Sequence, residues 1–447
     1  MQPIVTVAEM RDIDRRFSEG EDVLIARAGR AVSRAAKSML GGCYGRRVVV
    51  VAGPGNNGAD GRVAAELLER CGVKVVVVPP GEHKELPRCD LVIDAAYGTG
   101  LHGEYDAPDT HGVAVLAVDI PSGVNGDTGE ATHGAVKADR TVTFGALKPG
   151  HFLGSGPELC GELELVDIGL DTSGVTTHLL EKSDVIKSLP RVERESHKWR
   201  TAVAVVAGSP GMMGAAQLVA SGAQRAGAGM VRLGSPGVDN RDMLVCEAVS
   251  VPIPSSEWCD AVLAMSNRAS AFVIGPGIGR EDSTVKQTRD VIAKIPVPIV
   301  VDADGLYALS IGGTEFLKER DAPTILSPHD GEFARLSGHK PEVQRIEDVR
   351  SLARQSNAIV LLKGSTTVVA SPDGSVLVTA TGGPRLATAG TGDVLSGIIG
   401  AFLAQDMEPL VAAGAAAFVH GESAKLGPAR GLIASDLPSL VSQWLSL

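Results

Sequence analysis

Along the first half of the chain, short apolar runs alternate with amphipathic stretches. Arg47–Ala52 is a β-branched run ending in glycine, and Val73–Val78, Leu91–Asp94, Val115–Ile120 and Arg140–Phe144 follow it. Helix-like spacing fills gaps such as Val63–Arg70. Strands that are apolar on both faces belong in a parallel sheet covered by helices on each side. Residues 7–40 read as helical, with Met10, Ile13 and Phe17 first and then an Ala- and Arg-rich stretch. The rhythm breaks over 171–200, which is polar, charged and interrupted by Pro190. It resumes with Ala202–Val206, Met230–Leu233, Ala271–Ile274, Ile299–Val301, Thr324–Leu326, Ile359–Leu362 and Thr366–Ala370. Helix formers dominate from Asp393 to Ala424. The pattern predicts two unequal α/β domains, 1–188 and 189–447, the first a Rossmann-like doubly wound sheet.

Composition narrows the function classes. Lys and Arg number 42 against 53 Asp and Glu, a net charge of −11. A nucleic-acid partner is not expected, because displacing counterions from phosphates needs a basic face. A small anionic ligand is still allowed, since backbone N–H groups hold phosphate without basic side chains. No apolar run approaches the roughly 18 residues of a membrane span, so no membrane partner is expected. The N-terminal MQPIVTVAEMRDIDRRF carries acids and no apolar core, so it does not read as a signal peptide. Six Cys, none spaced C-x-x-C, point to reduced thiols and a cytoplasmic location. Glycine is abundant: 54 residues, about 12% against the usual 7% or so. Many stand at strand ends, where a backbone comes close to a ligand.

Gly53-Pro54-Gly55-Asn56-Asn57-Gly58 fits G-x-G-x-x-G, yet neither standard nucleotide loop is complete. The second strand ends Val78-Pro79-Pro80-Gly81, without the acid that holds a ribose. Ala59-Asp60 stands where a phosphate loop needs Lys-Ser/Thr. The loop alone reads as well as a tight turn. Asp94 and Asp119 end further strands, however, and ligands of open α/β sheets bind at those carboxyl ends. Asn57, Asp94 and Ser122 converge there, and one carboxylate with neutral oxygens suits a hard cation better than zinc. Asp119 and Lys148 form a candidate acid/base pair.

In this half, AGPGNNGADGRV, DAAYGTGL and DIPSGVNGDTG resemble the NAD(P)H-hydrate epimerase domain, over most of 1–170. The resemblance implies binding of hydrated NADH or NADPH, with K+ held by Asn57, Asp94 and Ser122. It implies substrate contacts from Asn56, Asn57, Gly58, Ala59 and Asp60, from Gly98, Thr99, Gly100, Leu101, His102, Gly103 and Glu104, and from Asp119. Two departures are visible. Ala59 replaces the family's usual Gly, and Ala26-Arg27 replaces its Glu-Asn.

In the second half, Gly390-Thr391-Gly392-Asp393 opens an apolar helix. Successive N–H groups there form an anion hole beside a candidate base, Asp393. Asp302 and Asp304 stay open between strand-end caps and metal ligands, and His329 alone reads as a core histidine. The stretches AGSPGMMGAAQL, GPGIG, VDADGL, SPHDGEFARL, LKGSTTVV and ATAGTGDVLSGIIGAFLAQ together resemble the ribokinase-like ADP/ATP-dependent NAD(P)H-hydrate dehydratase domain, over roughly 190–445. The resemblance implies a ribokinase-like α/β fold. It implies an adenine nucleotide on Lys363, Gly364, Ser365, Thr366 and Thr367 and on Gly390, Thr391 and Gly392. Ala215, Gly277, His329 and Asp393 would meet the hydrated substrate, and Glu332 would orient Mg2+ through water. Asp330 replaces a Pro common in the family.

The expected protein is a bifunctional repair enzyme using ADP or ATP, with ADP favoured, and a homo-oligomer of the kind common among acidic α/β enzymes. Two alternatives stay open on the residues alone. One is a ribokinase-like vitamin kinase with a non-catalytic N-terminal domain, and the other is a nucleotide sensor.

Overall fold

The computed structural model describes residues 1–100, 103, 105–191, 197–239, 247–341 and 343–447. They form two compact units, Gln2–Thr177 and His178–Leu447.

In the first unit six strands, β1 (Arg47–Ala52), β2 (Lys74–Val78), β3 (Leu91–Ala95), β4 (Val115–Val118), β5 (Arg140–Phe144) and β6 (Glu162–Val166), build one sheet. Their order is β2-β1-β3-β4-β5-β6, and every pair is parallel. The order reverses between β1 and β3, so the loops leaving those two strands diverge and open a crevice at their carboxyl ends. Two helices, α2 (Glu21–Leu40) and α3 (Asn56–Glu69), bury Val32, Ala36, Ala64 and Leu68 against one face, over Val48, Val50 and Ile93.

In the first unit the sequence pattern differs from the structure in four places. The helical stretch 7–40 is two helices, α1 (Val7–Arg16) and α2, parted where Gly20 adopts φ +92°. Helix α3 starts at Asn56, earlier than Val63, because its first turn is polar and lacks the apolar period. Strand β4 stops at Val118, because Asp119 turns to φ +67°. Strand β6 was not foreseen: Glu-Leu-Glu-Leu-Val alternates charge with apolar residues, as an edge strand does, and Glu162 pairs with Arg140 at 2.6 Å.

In the second unit the main strands are β7 (Ala202–Val206), β8 (Met230–Gly234), β9 (Ala271–Ile274), β10 (Ile299–Val301), β11 (Thr324–Leu326), β12 (Ile359–Leu362), β13 (Thr367–Ala370) and β14 (Val376–Thr379), with short strands beyond both ends of the row. They run in the order β14-β13-β12-β11-β10-β9-β7-β8. Pairing is parallel from β8 to β12 and antiparallel from β12 to β14. The unforeseen β14 closes a hairpin over Ser-Pro-Asp-Gly-Ser, where Ser371 N–H donates to Ser375 O at 2.9 Å. Five helices matter to the site: α4 (Met213–Arg225), α5 (Asp304–Gly312), α6 (Asp330–Ser337), α7 (Arg345–Ser356) and α8 (Thr391–Ala404). Glycines let α4 and α8 touch backbone to backbone. A Cβ on Gly397 would lie 2.2 Å from Val219 O, and one on Gly222 2.5 Å from Val394 O. Ile398 is wholly buried in this contact, and truncating such a residue to Ala costs about 2–5 kcal/mol.

Candidate active sites

The first site grows from two forced approaches. A Cβ on Gly53 would lie 1.8 Å from Ala96 O, and one on Gly58 1.9 Å from Gly53 O. Only glycine allows the β1 loop to pack against the β3 loop while α3 starts beneath it. A cavity of about 710 Å³ opens there, bordered by Asn56, Asn57, Asp60, Gly98, Thr99, Gly100, Asp119 and Lys148. Gly58, Ala59 and Gly103 do not border it. Leu101, His102 and Glu104 lie outside the described residues. Asn56 is held by Glu21, its Nδ2 donating to Oε1 at 2.5 Å.

Lys148 is 1% exposed and its ammonium donates to Asp119 Oδ1 and, at 2.9 Å, to Thr143 Oγ1. Thr143 also donates to Asp119 Oδ1 at 2.9 Å. Burial alone would push the Asp119 carboxyl up, but Lys148 and Thr143 together hold it below the usual carboxylate range. His151 fixes the turn from below. Its Nδ1 accepts from Lys148 N at 3.2 Å, so its Nε2 donates to Asp119 O at 2.9 Å. Burial, then the nearby ammonium, lowers the imidazole to about 4, so it stays neutral. Asp60 is the opposite case. Buried on α3 and facing Asp119 and Asp14, its carboxyl is pushed up to about 8, mainly by burial. One wall therefore carries an ionised carboxylate and another a protonated carboxyl.

Asp94 and Ser122 lie behind the cavity. Asp94 Oδ2 accepts from Ser122 N at 2.8 Å, its Oδ1 accepts from Ser122 Oγ at 2.7 Å, and burial raises it to about 6. Asn57 Nδ2 is buried without a partner. The sequence reading missed Thr143, His151 and the cavity residues Arg11 and Asp14 of α1. The even spread of charge along α1 gave no sign of which face looks inward.

In the second unit the loop after β9 packs on that after β10, a Cβ on Gly275 falling 1.9 Å from Asp302 O. Asp302 is 1% exposed. Its Oδ1 accepts from Lys363 Nζ at 2.8 Å and its Oδ2 from Ser396 Oγ of α8 at 2.7 Å. Glu332 Oε2 lies 3.8 Å from the same ammonium. Burial would lower Lys363, but Asp302 and Glu332 outweigh it and raise its pKa. Asp393, in the first turn of α8, is pushed up to about 7 by burial and then by Asp302, with Lys363 opposing. Gly392 faces the ammonium, since a Cβ there would sit 3.4 Å from Lys363 Nζ. Gly390 turns the chain into α8 at φ +89°.

Other expected residues hold the loops. Thr391 Oγ1 donates to Leu386 O at 2.9 Å, and Thr367 Oγ1 to Gly364 O at 3.3 Å. Thr366 is buried. Carbonyls of Gly364 and Ser365 each stand 2.6 Å from where a Gly382 Cβ would be. Ala215 and Gly277 adjoin, a Gly277 Cβ reaching Ala215 Cβ at 3.1 Å. His329 is not a core histidine. It caps α6, its Nδ1 accepting from Gly331 N at 3.0 Å, while its N–H donates to Glu332 Oε2 at 2.9 Å. Asp304 is committed to Arg280 at 2.6 Å. Asp330 acquires a role: it pairs with Arg345 at 2.8 Å, and Arg345 donates to Lys363 O at 3.0 Å. Among the described residues, no group of three or more His, Cys, Asp or Glu is arranged to hold a metal ion unaided.

The sequence matches the NAD(P)H-hydrate dehydratase family over residues 203–446, and the family described as YjeF-related protein N-terminus over 21–87 and 79–150. A bifunctional NAD(P)H-hydrate repair enzyme of Moorella thermoacetica is 34% identical, covering 97% of this chain and 95% of its own. That of Mycobacterium leprae is 35% identical, covering 100% of this chain and 98% of its own. A solved ADP/ATP-dependent NAD(P)H-hydrate dehydratase of Bacillus subtilis, co-crystallised with ATP and Mg2+, is similar at 29% identity and a TM-score of 0.53. It covers 60% of this chain and 96% of that one. A ribokinase-like superfamily protein of Enterococcus faecalis shares the fold, with a TM-score of 0.55. Fold and sites define a two-part α/β enzyme whose larger part is ribokinase-like. The chain belongs to the bifunctional NAD(P)H-hydrate repair enzymes.

Proposed function

We propose that the first unit interconverts the R and S hydrates of NADH and NADPH, and that the second dehydrates the S form at the expense of ADP or ATP. The observation that carries this reading is common to both sites. Each sets a buried Lys–Asp pair beside a second carboxyl that titrates near neutrality, Asp60 at about 8 and Asp393 at about 7.

In the epimerase unit, Asp60 gives its proton to the hydroxyl on ring carbon C6. The C6–O bond breaks, water leaves, and the ring-nitrogen lone pair closes a C=N+ bond. Asp119, kept ionised by Lys148, stabilises that cation and takes a proton from the water that adds to the other face. The sequence pairs Asp119 with Lys148 as acid and base; in this proposal Lys148 holds Asp119 ionised and Asp60 is the acid. Asn56, Gly98, Thr99 and Gly100 would line the bound substrate. The oxygens of Asn57, Asp94 and Ser122 suit a K+ ion: among the described residues the buried Asp94 carboxylate has no cationic partner, and Asn57 and Ser122 add neutral oxygens. Bound there, K+ would neutralise the Asp94 charge beneath the substrate.

In the dehydratase unit, Asp393 takes the C6 hydroxyl proton as that oxygen attacks the terminal phosphoryl of ADP or ATP. The leaving nucleotide is shortened by one phosphate; the C6–O bond then breaks, the phosphate departs with the C5 proton, and the C5=C6 bond of NAD(P)H re-forms. The N–H groups at Gly390–Gly392 and the Lys363 ammonium would receive the phosphoryl charge. Glu332 would orient Mg2+ through water, and the net-negative surroundings set by Asp302 and Asp393 suit a cation shared with nucleotide phosphates. Bound there, Mg2+ would offset charge on the transferred group. Lys363–Thr367 would hold the nucleotide, and Ala215, Gly277 and His329 the hydrated dinucleotide. The proposal keeps ADP as the preferred donor, a cytoplasmic location and a homo-oligomer, and moves the domain boundary from 188/189 to the division at 177/178. A vitamin kinase or a passive sensor is not favoured by membership of this family.

The test mixes R- and S-hydrated NADPH with the full chain, ADP or ATP, Mg2+ and K+, and follows the NADPH absorbance. Full recovery is expected. No recovery overturns the proposal, and recovery of the S fraction alone overturns its epimerase half.

A further inference from the structure

A second cavity, of about 250 Å³, opens beside the larger chamber of the first unit. Arg11, Gly98 and Thr99 border both. Helix α1 supplies the seam. Met10, Arg11 and Asp14 face the larger chamber, and Val7, Ala8 and Arg11 face the smaller. These are neighbouring rows of one helix, with Arg11 on the row they share. Arg11 is exposed, and its guanidinium makes no hydrogen bond or ion pair among the described residues. The other cations of the chamber are engaged, Arg15 by Asp12 and Lys148 by Asp119.

A dinucleotide is two nucleosides joined by a diphosphate. Two adjoining cavities, with a guanidinium between them that is free among the described residues, match that shape and charge. The smaller cavity has an apolar side from Val7, Ala8 and Val124 and an acid, Asp127, whose Oδ1 accepts from Val7 N at 2.7 Å. That carboxylate opposes a phosphate and accommodates a neutral nucleoside. We infer that the smaller cavity is the adenosine subsite of the epimerase unit and that Arg11 binds the diphosphate between the two chambers. This rests on the hydrated dinucleotide reading of the larger chamber.

Three measurements on the full chain test it. Arg11→Gln should raise the epimerase KM for hydrated NADH about ten-fold or more, as loss of a charge-assisted bond does. Its kcat should stay within about two-fold, because the reacting carboxyls are untouched. Dehydration of the S hydrate should not change. Ala8→Phe, at an exposed helix position, should raise KM for hydrated NADH but not for hydrated nicotinamide mononucleotide, which lacks the adenylate. An equal effect on both substrates, or on neither, overturns the subsite. Hydrogen exchange reads the same contacts without turnover: hydrated NADH should protect residues 7–16 and 124–127, and the mononucleotide only the first. Epimerisation without protection of 124–127 overturns the subsite and leaves the proposed function standing. Protection without epimerisation does the reverse.

Discussion

The two units solve one problem, keeping a carboxyl reactive near neutral pH, with different charge balances. In the first, one ammonium meets one carboxylate: Lys148 is spent on Asp119, and Asp60 is left protonated by burial. In the second, one ammonium meets three carboxylates, so Lys363 cannot neutralise Asp302, Glu332 and Asp393 together. The first site is balanced and suited to moving protons on a ring. The second holds an excess of negative charge among its described side chains. Charge balance, more than fold, separates the two sites.

That contrast breaks most clearly at the base. Asp393→Asn should lower dehydration about 10³-fold, in the range of general-base losses, while leaving epimerisation intact. Loss of both activities would show that the units do not act separately. Asp60→Asn should lower epimerisation about 10²-fold and spare dehydration of the S hydrate, measured on pure epimer. Lys148→Met strands a partly buried carboxylate, at a cost of about 3 kcal/mol, so it should lower the first thermal transition. Lys363→Met should cost less fold stability than activity, because Ser396 still holds Asp302. Chelating Mg2+ should stop dehydration alone, whereas replacing K+ with Na+ should weaken epimerisation alone.

The smallest expected effects are in pH. Dehydration should rise with pH through about 7, as Asp393 loses its proton, and epimerisation should fall above about 8, as Asp60 loses its own. Stability carries the same sign. Between its unfolded value near 3.8 and about 8, the native Asp60 binds a proton that the unfolded chain has released, so folding weakens as pH rises through that window. Asp60→Asn should therefore melt later than the native chain at pH 9 and close to it at pH 4.

Nearly every central strand was legible in the sequence, because strands buried on both faces write continuous apolar runs. Two strands were not: Glu162–Val166, at an edge, alternates, and Val376–Thr379 follows a tight turn that looks like loop. Residues at strand ends were also legible, since glycine and Asp cluster there. What was hidden is what crosses between strands. Nothing near Lys363 in the chain names Asp302, and nothing near Asp330 reveals that it steadies Lys363 through Arg345. His329 reads as a buried side chain because its helix cap is a backbone relation.

The turn at Asp119 has one more consequence, for anyone who randomises that position. At φ +67° the chain accepts glycine readily, Asn and Asp at small cost, and β-branched residues only with strain. A library there is sorted by shape before chemistry is assayed, so its folded survivors should be chiefly Asp, Asn and Gly. Among them Asn removes the charge while keeping both the bend and a side chain of the same shape. Asp119→Asn is thus the clean probe of the carboxylate, whereas Asp119→Val would report on a collapsed loop.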